Sequence, residues 1–172
     1  MLKIIAITII FLSSTYLGFY YGESFKRRSK QLKYILKAVM FLNNEVMYSN
    51  TPLPEALNYI ALKVESPINS ILSNVATSLE NGTSKSVYDA FCQEYHKNKF
   101  NLNLFEEDKA IIKDFLKSLG ESGVYGQDKL FNLTVENMKI NCNAAEELAN
   151  KNSKMYSAIG MCIGAMIAIF LF

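Results

Sequence analysis

The sequence predicts an all-α protein in which a cytoplasmic helical bundle lies between an N-terminal and a C-terminal transmembrane helix. Three observations support this fold class. Residues 4–22 and 155–172 contain no Asp, Glu, Lys or Arg. Between these two runs, apolar residues recur at steps of three and four, which is typical of helices with one buried face. No segment longer than a few residues shows the strict alternation expected of a β-strand.

The two charge-free runs are long enough to cross a membrane. At about 1.5 Å per helical residue each reaches roughly 27–29 Å, close to the thickness of a bilayer's hydrocarbon core. We therefore predict an N-terminal transmembrane helix over residues 1–22 and a C-terminal one over residues 155–172. Residues 23–154 then form one bundle of five to six helices on a single side of the membrane.

The basic residues indicate which side that is. Lys3 alone precedes the first run, whereas cations cluster directly after it at Lys26, Arg27, Arg28, Lys30, Lys33 and Lys37. Lys and Arg next to a span stay on the cytoplasmic side, so the bundle is predicted to be cytoplasmic and both termini to lie outside the cytoplasm. A cleaved signal peptide is the alternative, but no A-x-A-like site follows the apolar run.

The first bundle helix follows the first span without an intervening Pro. Its apolar face is formed by Leu32, Ile35, Leu36, Val39, Leu42 and Val46. It is predicted to end at Asn50. Thr51 is then the predicted N-cap of the second helix, with Pro52 in the first helical position, where its missing N–H costs nothing.

The third and fourth helices are predicted from similar starting signals. Ser66-Pro67 repeats the cap-and-proline start, and Asn81-Gly82 ends the third helix. Thr83 or Ser84 is predicted to open the fourth helix.

The fifth helix is predicted to begin at Glu106-Glu107-Asp108 and to end at Gly120. Negative charge at a helix N-terminus is favoured by the helix dipole, so these carboxylates are interpreted as a solvated run. The last helix is predicted to begin near Gln127 and to enter the membrane unbroken, because no Gly or Pro occurs before Gly160.

Both predicted spans carry glycines one helical turn apart. Gly18 and Gly22 form one G-x-x-x-G motif, Gly160 and Gly164 form another, and Ala168 extends the second. Such a flat face allows another helix backbone to approach closely. We therefore predict a packing face, either within the hairpin or between subunits of a homo-oligomer.

No motif for catalysis, cofactor binding or metal binding is found. His96, the single histidine, lies in a Lys/Asn-rich stretch and is interpreted as a solvated side chain. Cys92, Cys142 and Cys162 have neither disulfide nor zinc spacing. The net charge of +2 gives no reason to expect nucleic-acid binding. The sequence therefore favours a membrane-anchored, non-enzymatic binding or scaffolding protein over an enzyme or sensor.

One segment is more specific than these patterns. Residues 45–57, EVMYSNTPLPEAL, resemble the E-x-x-Y-x-x-T-P-L-P-E-A motif of the stage III sporulation protein AB family. Gln31-Leu32, Leu119-Gly120 and the closing segment 154–164 are similar to further parts of that family. The resemblance covers essentially the whole chain. One departure is Gly123-Val124, where an acidic residue is usual in the family.

The resemblance implies a function in endospore formation. The family is similar to a reduced form of the inner-membrane platform proteins of type II secretion and type IV pilus systems. It implies a scaffold subunit of the channel complex between mother cell and forespore, in the mother-cell-derived membrane around the forespore. The implied partners are other channel subunits and an ATPase like stage III sporulation protein AA. The alternative is a platform subunit of a secretion or pilus system.

The same segment supplies the candidate residues for contact with a partner. These are Glu45, Tyr48, Thr51, Pro52, Leu53, Pro54 and Glu55. A helix-to-helix turn that only holds the bundle together explains the same residues, because the prolines and the cap have a structural reason to be there.

Overall fold

The computed structural model describes residues 2–49, 51–119 and 124–171, and the described residues form helices and connections without a strand. The side chains of residues 2–4, 6 and 124–127 are outside this description. Six α-helices and one short 3-10 helix follow in order: α1 Leu2–Met47, α2 Leu53–Ala61, α3 Ile68–Glu80, α4 Val87–Lys97, the 3-10 helix Lys99–Asn101, α5 Glu106–Leu119 and α6 Val124–Leu171. The predicted all-α class is therefore confirmed.

The chain divides into two compact units. The first consists of Met1–Ser29 with Asn143–Phe172, and the second of Lys30–Cys142. Helix α1 has 46 residues and α6 has 48, and each contributes to both units. The prediction that the first and last helices run unbroken past residues 22 and 155 is thus confirmed.

The second unit, which we call the bundle, has an apolar core drawn from all of its helices. From α1, the residues Leu32, Ile35, Val39 and Leu42 are buried, as the periodicity predicts. In sequence order, α2 packs against α3, α3 against α4 and α4 against α5. Phe131 of α6 is fully buried, and its ring meets the ring of Phe115 edge-on at 5.2 Å. Burial of this apolar surface is the main stabilising contribution to the bundle.

Two buried polar side chains fasten the loop between α4 and α5. The amide of Gln31 donates to the Asn101 carbonyl at 2.8 Å and accepts from the Asn103 N–H at 2.8 Å. Asp108 accepts from the Phe105 N–H at 2.9 Å and from the Asn141 side-chain amide at 2.9 Å. The interpretation of residues 106–108 as a solvated run is therefore wrong for Asp108, which is 1% exposed. Its carboxylate caps α5 and links it to α6, so its lone pairs are satisfied inside the bundle.

Several helix starts differ from prediction by a few residues. The N-cap of α3 is Pro67, after a cis Ser66–Pro67 bond, and no side chain caps this helix. Helix α4 begins at Val87, because the Ser86 hydroxyl accepts from the Asp89 N–H at 3.0 Å. Helix α6 begins at Val124, before the predicted start near Gln127. Gly120 is the predicted end of α5, and Gly123 belongs to the departure from the family motif. Both residues lie outside the described part of the chain.

The first unit pairs the two ends of the chain. Among the residues whose side chains are described, one helix is long and apolar enough to cross a membrane, that over Asp128–Leu171. Apolar side chains of this helix are exposed, for example Met166 at 70% and Phe170 at 90%. The predicted N-terminal span covers residues 1–22. Residue 1 and the side chains of residues 2–4 and 6 lie outside the description, so this span stays a prediction.

A buried carboxylate between α3 and α4 makes the bundle sensitive to acid. Glu94 accepts from the Asn74 amide at 2.8 Å and forms an ion pair with Lys97 at 2.6 Å. Burial acts to raise the pKa of Glu94, but the hydrogen bonds from Lys97 and Asn74 to the carboxylate outweigh it. The pKa therefore lies below its ordinary value of 4.5.

A lowered pKa in the folded state stabilises the protein above the unfolded pKa, and this contribution is lost as the pH falls through the folded pKa. We expect the unfolding midpoint to fall as the pH is lowered below about 4.5. Glu94→Gln should lower the midpoint at neutral pH and flatten this acid dependence. The measurement is thermal unfolding of the full chain followed by circular dichroism across the pH range. An acid dependence as steep in Glu94→Gln as in the parent would contradict the assignment.

Candidate interface at the proline corner and the terminal-helix contact

The first candidate site is the connection between α1 and α2. We call it the proline corner and define it as Glu45, Tyr48, Thr51, Pro52, Leu53, Pro54 and Glu55. The last turn of α1 is closed by backbone bonds: the N–H groups of Tyr48 and Ser49 both donate to the Asn44 carbonyl, at 3.1 and 3.3 Å. The Thr51 N–H donates to the Glu45 carbonyl at 3.1 Å. These bonds satisfy carbonyls that would otherwise lack a partner at a helix end.

Thr51 is not the N-cap of α2, contrary to the sequence prediction. The helix begins at Leu53, its N-cap is Pro52, and no side chain caps it. The Pro52 side chain has no hydrogen-bond acceptor, and Pro54 in the second helical position has no N–H to donate. The Thr51 hydroxyl instead donates to the Glu45 carboxylate at 3.0 Å. Two residues of the motif are thereby joined across the corner.

The remaining corner residues differ in their exposure. Tyr48 is 80% exposed, and Pro52 and Glu55 are also exposed. Leu53 and Pro54 are half-buried, as are Glu45 and Thr51. Glu55 lies in the first turn of α2, where the helix dipole favours its charge. The corner therefore has a structural part, the Glu45–Thr51 pair, and an accessible part at Tyr48, Pro52 and Glu55.

The second candidate site is the contact between α1 and α6 within the first unit. A Cβ placed on Gly18 would lie 2.7 Å from the Gly160 Cα and 2.7 Å from the Tyr156 carbonyl oxygen. A Cβ on Gly22 would lie 2.7 Å from the Ser153 carbonyl oxygen. The Ser14 hydroxyl donates to the Gly160 carbonyl at 3.0 Å. The two backbones are thus close enough that only glycine fits.

The other small residues of the motifs lie on the same helices. A Cβ on Gly164 would meet the Phe11 side chain at 3.1 Å and the Ser14 Cβ at 3.3 Å. Ala168 is half-buried. We call the surface formed by Gly18, Gly22, Gly160 and Gly164 the glycine contact.

Aromatic rings surround one end of the glycine contact. Tyr156 of α6 meets Tyr21 edge-on at 5.0 Å and stacks on Phe25 at 5.6 Å. The Arg27 guanidinium lies 5.7 Å from the centre of the Tyr20 ring. Tyrosine rings next to cations are typical of helix segments at a membrane–water interface.

The bundle interior offers little room for chemistry. Its apolar cavity of about 60 Å³ is lined by side chains such as Ile60, Ile71, Phe115 and Met138. Pockets for small-molecule ligands are usually several times larger, on the order of 300–1,000 Å³. His96 is exposed, as predicted. The accessible surfaces, and not the interior, are therefore the candidate functional regions.

The fold and these surfaces define an all-helical bundle protein whose C-terminal helix is long and apolar enough to cross a membrane. The chain matches the family model described as stage III sporulation protein AB over residues 3–172. It therefore belongs to the stage III sporulation protein AB family.

Two relatives agree with this assignment. The chain is 28% identical over 171 residues to stage III sporulation protein AB of Bacillus subtilis (strain 168), covering 99% of both chains. A solved structure of stage III sporulation protein AB (SpoIIIAB) is 27% identical with a TM-score of 0.66. The match covers 72% of this chain and 96% of that one. The resemblance deduced from the motif at residues 45–57 is thus confirmed.

Proposed function

We propose that this protein is a non-enzymatic membrane scaffold subunit of the mother cell–forespore channel complex. The observation that carries this proposal is the family match, which extends over both terminal helices as well as the bundle. Sporulation is the process in which the family acts, and a sporulation complex implies further subunits as partners. On this proposal the protein lies in the mother-cell-derived membrane around the forespore.

The proposed topology has two spans, a cytoplasmic bundle and both termini outside the cytoplasm. The cations at residues 26–37 support it by the positive-inside rule. The glycine contact and the neighbouring rings of Tyr21 and Tyr156 support two helices that cross the membrane side by side. Helices α1 and α6 contribute to both units, so a force on the bundle has a continuous helical path to the membrane.

The proposed partner of the bundle is a cytoplasmic secretion-type ATPase like stage III sporulation protein AA. The accessible part of the proline corner is the proposed contact, because Tyr48, Pro52 and Glu55 are exposed to solvent. An exposed tyrosine and an exposed carboxylate at the same corner offer an apolar ring and a charge for recognition, and tyrosine is enriched among the residues that contribute most to binding energy.

Variants of the accessible corner test this docking. Tyr48→Ala and Glu55→Lys should each weaken binding of the ATPase about tenfold, a loss of roughly 1.4 kcal/mol. Both side chains are exposed, so the helical circular dichroism spectrum should not change. Binding is measured by titrating the ATPase against the full chain in detergent micelles. Glu136→Lys is the matched control, since Glu136 is exposed on α6. Unchanged affinity in both corner variants would refute docking at the corner, leaving it as a structural turn.

The alternative function is an inner-membrane platform of a type II secretion or type IV pilus-like system. Platform proteins of those systems usually carry two such bundles, whereas the described residues of this chain form one. A deletion that blocks spore maturation after engulfment, with motility and secretion intact, would favour the channel scaffold. Loss of pili or secretion with normal spores would favour the platform.

A further inference from the structure

A cluster of cations and aromatic rings lies at the C-terminal end of α2. The Lys63 ammonium is 3.8 Å from the centre of the Tyr59 ring and 4.6 Å from that of Phe41. Lys37 of α1 lies 5.6 Å from the same Phe41 ring, and its ammonium donates to the Lys63 carbonyl at 3.0 Å. The four side chains Lys37, Phe41, Tyr59 and Lys63 form what we call the lysine cluster.

The lysines of this cluster form no ion pair within the described bundle, although the charge of Lys37 acts on Glu65 from a longer distance. Over the described part of the chain, neither Lys37 nor Lys63 has a carboxylate within the 4.0 Å of an ion pair. The nearby Glu65 pairs with Lys30 at 2.9 Å. A hydrogen bond from Tyr34 and that ion pair hold the pKa of Glu65 below its usual range. The Glu65 carboxylate is therefore already bound to Tyr34 and Lys30. The cluster therefore presents two cations to an outside partner.

A groove between α2 and α3 adjoins the lysine cluster at Tyr59. The Tyr59 side chain lines this groove, and its ring also lies against the Lys63 ammonium. Its lining includes Leu62, which is 87% exposed, and the polar side chains of Asn69 and Ser73. Its open volume of about 560 Å³ lies within the range of binding clefts, roughly 300–1,000 Å³. The amide and hydroxyl groups of this lining match a peptide backbone: the Asn69 side chain offers its NH₂ group, since its oxygen already accepts from Ser70, and the Ser73 hydroxyl can donate and accept.

We infer that the groove between α2 and α3, together with the lysine cluster, binds an extended acidic segment of a partner protein. The carboxylates of the segment pair with Lys63 and Lys37, and an apolar side chain packs on Tyr59 and Leu62. An anionic lipid surface supplies the same charge but does not use a groove lined by amides and hydroxyls, so the observations favour a peptide. The inference does not depend on ATPase docking, because the proline corner lies at the other end of α2, about 13 Å away along the helix.

The probe is a fluorescein-labelled nine-residue peptide of alternating Glu and Leu, titrated against the full chain in detergent micelles and followed by anisotropy. We expect saturable binding that weakens with added salt, because exposed charges are screened. A peptide with Gln in place of each Glu should not bind. Lys63→Glu combined with Lys37→Glu should weaken binding by about tenfold or more. Lys85→Glu makes one such charge reversal at an exposed lysine elsewhere and should leave binding unchanged.

A second variant tests whether lost binding reflects misfolding, because Lys63 also contacts the Phe41 ring of α1 and Lys37 donates to the Lys63 carbonyl. Leu62→Ser changes an exposed side chain and should weaken binding severalfold with an unchanged circular dichroism spectrum. Equal binding by the parent, the double variant and Leu62→Ser would overturn the inference. Binding to phosphatidylserine vesicles in place of the peptide would also overturn it, in favour of a lipid-binding cluster.

Discussion

Replacement of Gly160 by leucine should separate the two terminal helices and lower the stability of their contact by about 3 kcal/mol. A Cβ at this position would lie 2.7 Å from the Gly18 Cα and 3.0 Å from the Ser14 carbonyl oxygen. Both are backbone atoms, so no rotamer change can relieve the clash. The helices must move apart, and this movement also breaks the bond from the Ser14 hydroxyl to the Gly160 carbonyl. Gly160→Ala should already show part of the loss.

The measurement is the thermal unfolding midpoint of the full chain in detergent micelles, followed by circular dichroism. Ala158→Leu is the matched control, since Ala158 is exposed on the same helix. Equal midpoints for Gly160→Leu and Ala158→Leu would refute the close contact between α1 and α6. Gly18→Leu should reproduce the effect of Gly160→Leu, because the two glycines face each other.

Phe131→Ala should destabilise the bundle by about 3–5 kcal/mol, the usual cost of removing a fully buried phenylalanine. Phe131 has no exposed surface, and its ring packs edge-on against Phe115. The substitution removes both this aromatic pair and the apolar contacts around the ring.

The free energy of unfolding is obtained from a guanidinium titration of the full chain. Leu133→Ala, two residues along the same helix, is the control, since Leu133 is 50% exposed. That substitution should cost about 1 kcal/mol or less. A similar loss for the two variants would mean that α6 does not present Phe131 to the core of the bundle.

Helix number and core faces could be predicted because they depend on local periodicity. The burial of Leu32, Ile35, Val39 and Leu42 follows from steps of three and four along one helix. Whether an individual polar side chain is buried or exposed could not be predicted in this way. Asp108 has the sequence environment of a solvated carboxylate, yet Asn141, more than thirty residues away, provides the partner that allows its burial.

The candidate sites show the same division. The lysine cluster contains two pairs that the sequence alone predicts to be neighbours, because each is spaced four residues apart on a helix. These pairs are Lys37 with Phe41 and Tyr59 with Lys63. Their meeting depends on how α2 packs against α1, which no local pattern records. Likewise, the sequence favours Thr51 as the N-cap of α2, but only the packed corner gives its hydroxyl another partner, Glu45.

Hydrophobic runs, helical periodicity and the motif at residues 45–57 were sufficient to determine the all-α class, the long first and last helices and the family. These properties are local, since each is encoded by neighbouring residues and the regular geometry of one helix. The tertiary structure decided that Gly18 faces Gly160, that Glu94 and Asp108 are buried, and that two lysines share an aromatic platform. Each of these contacts joins residues far apart in the chain, so its existence depends on the packing of whole helices.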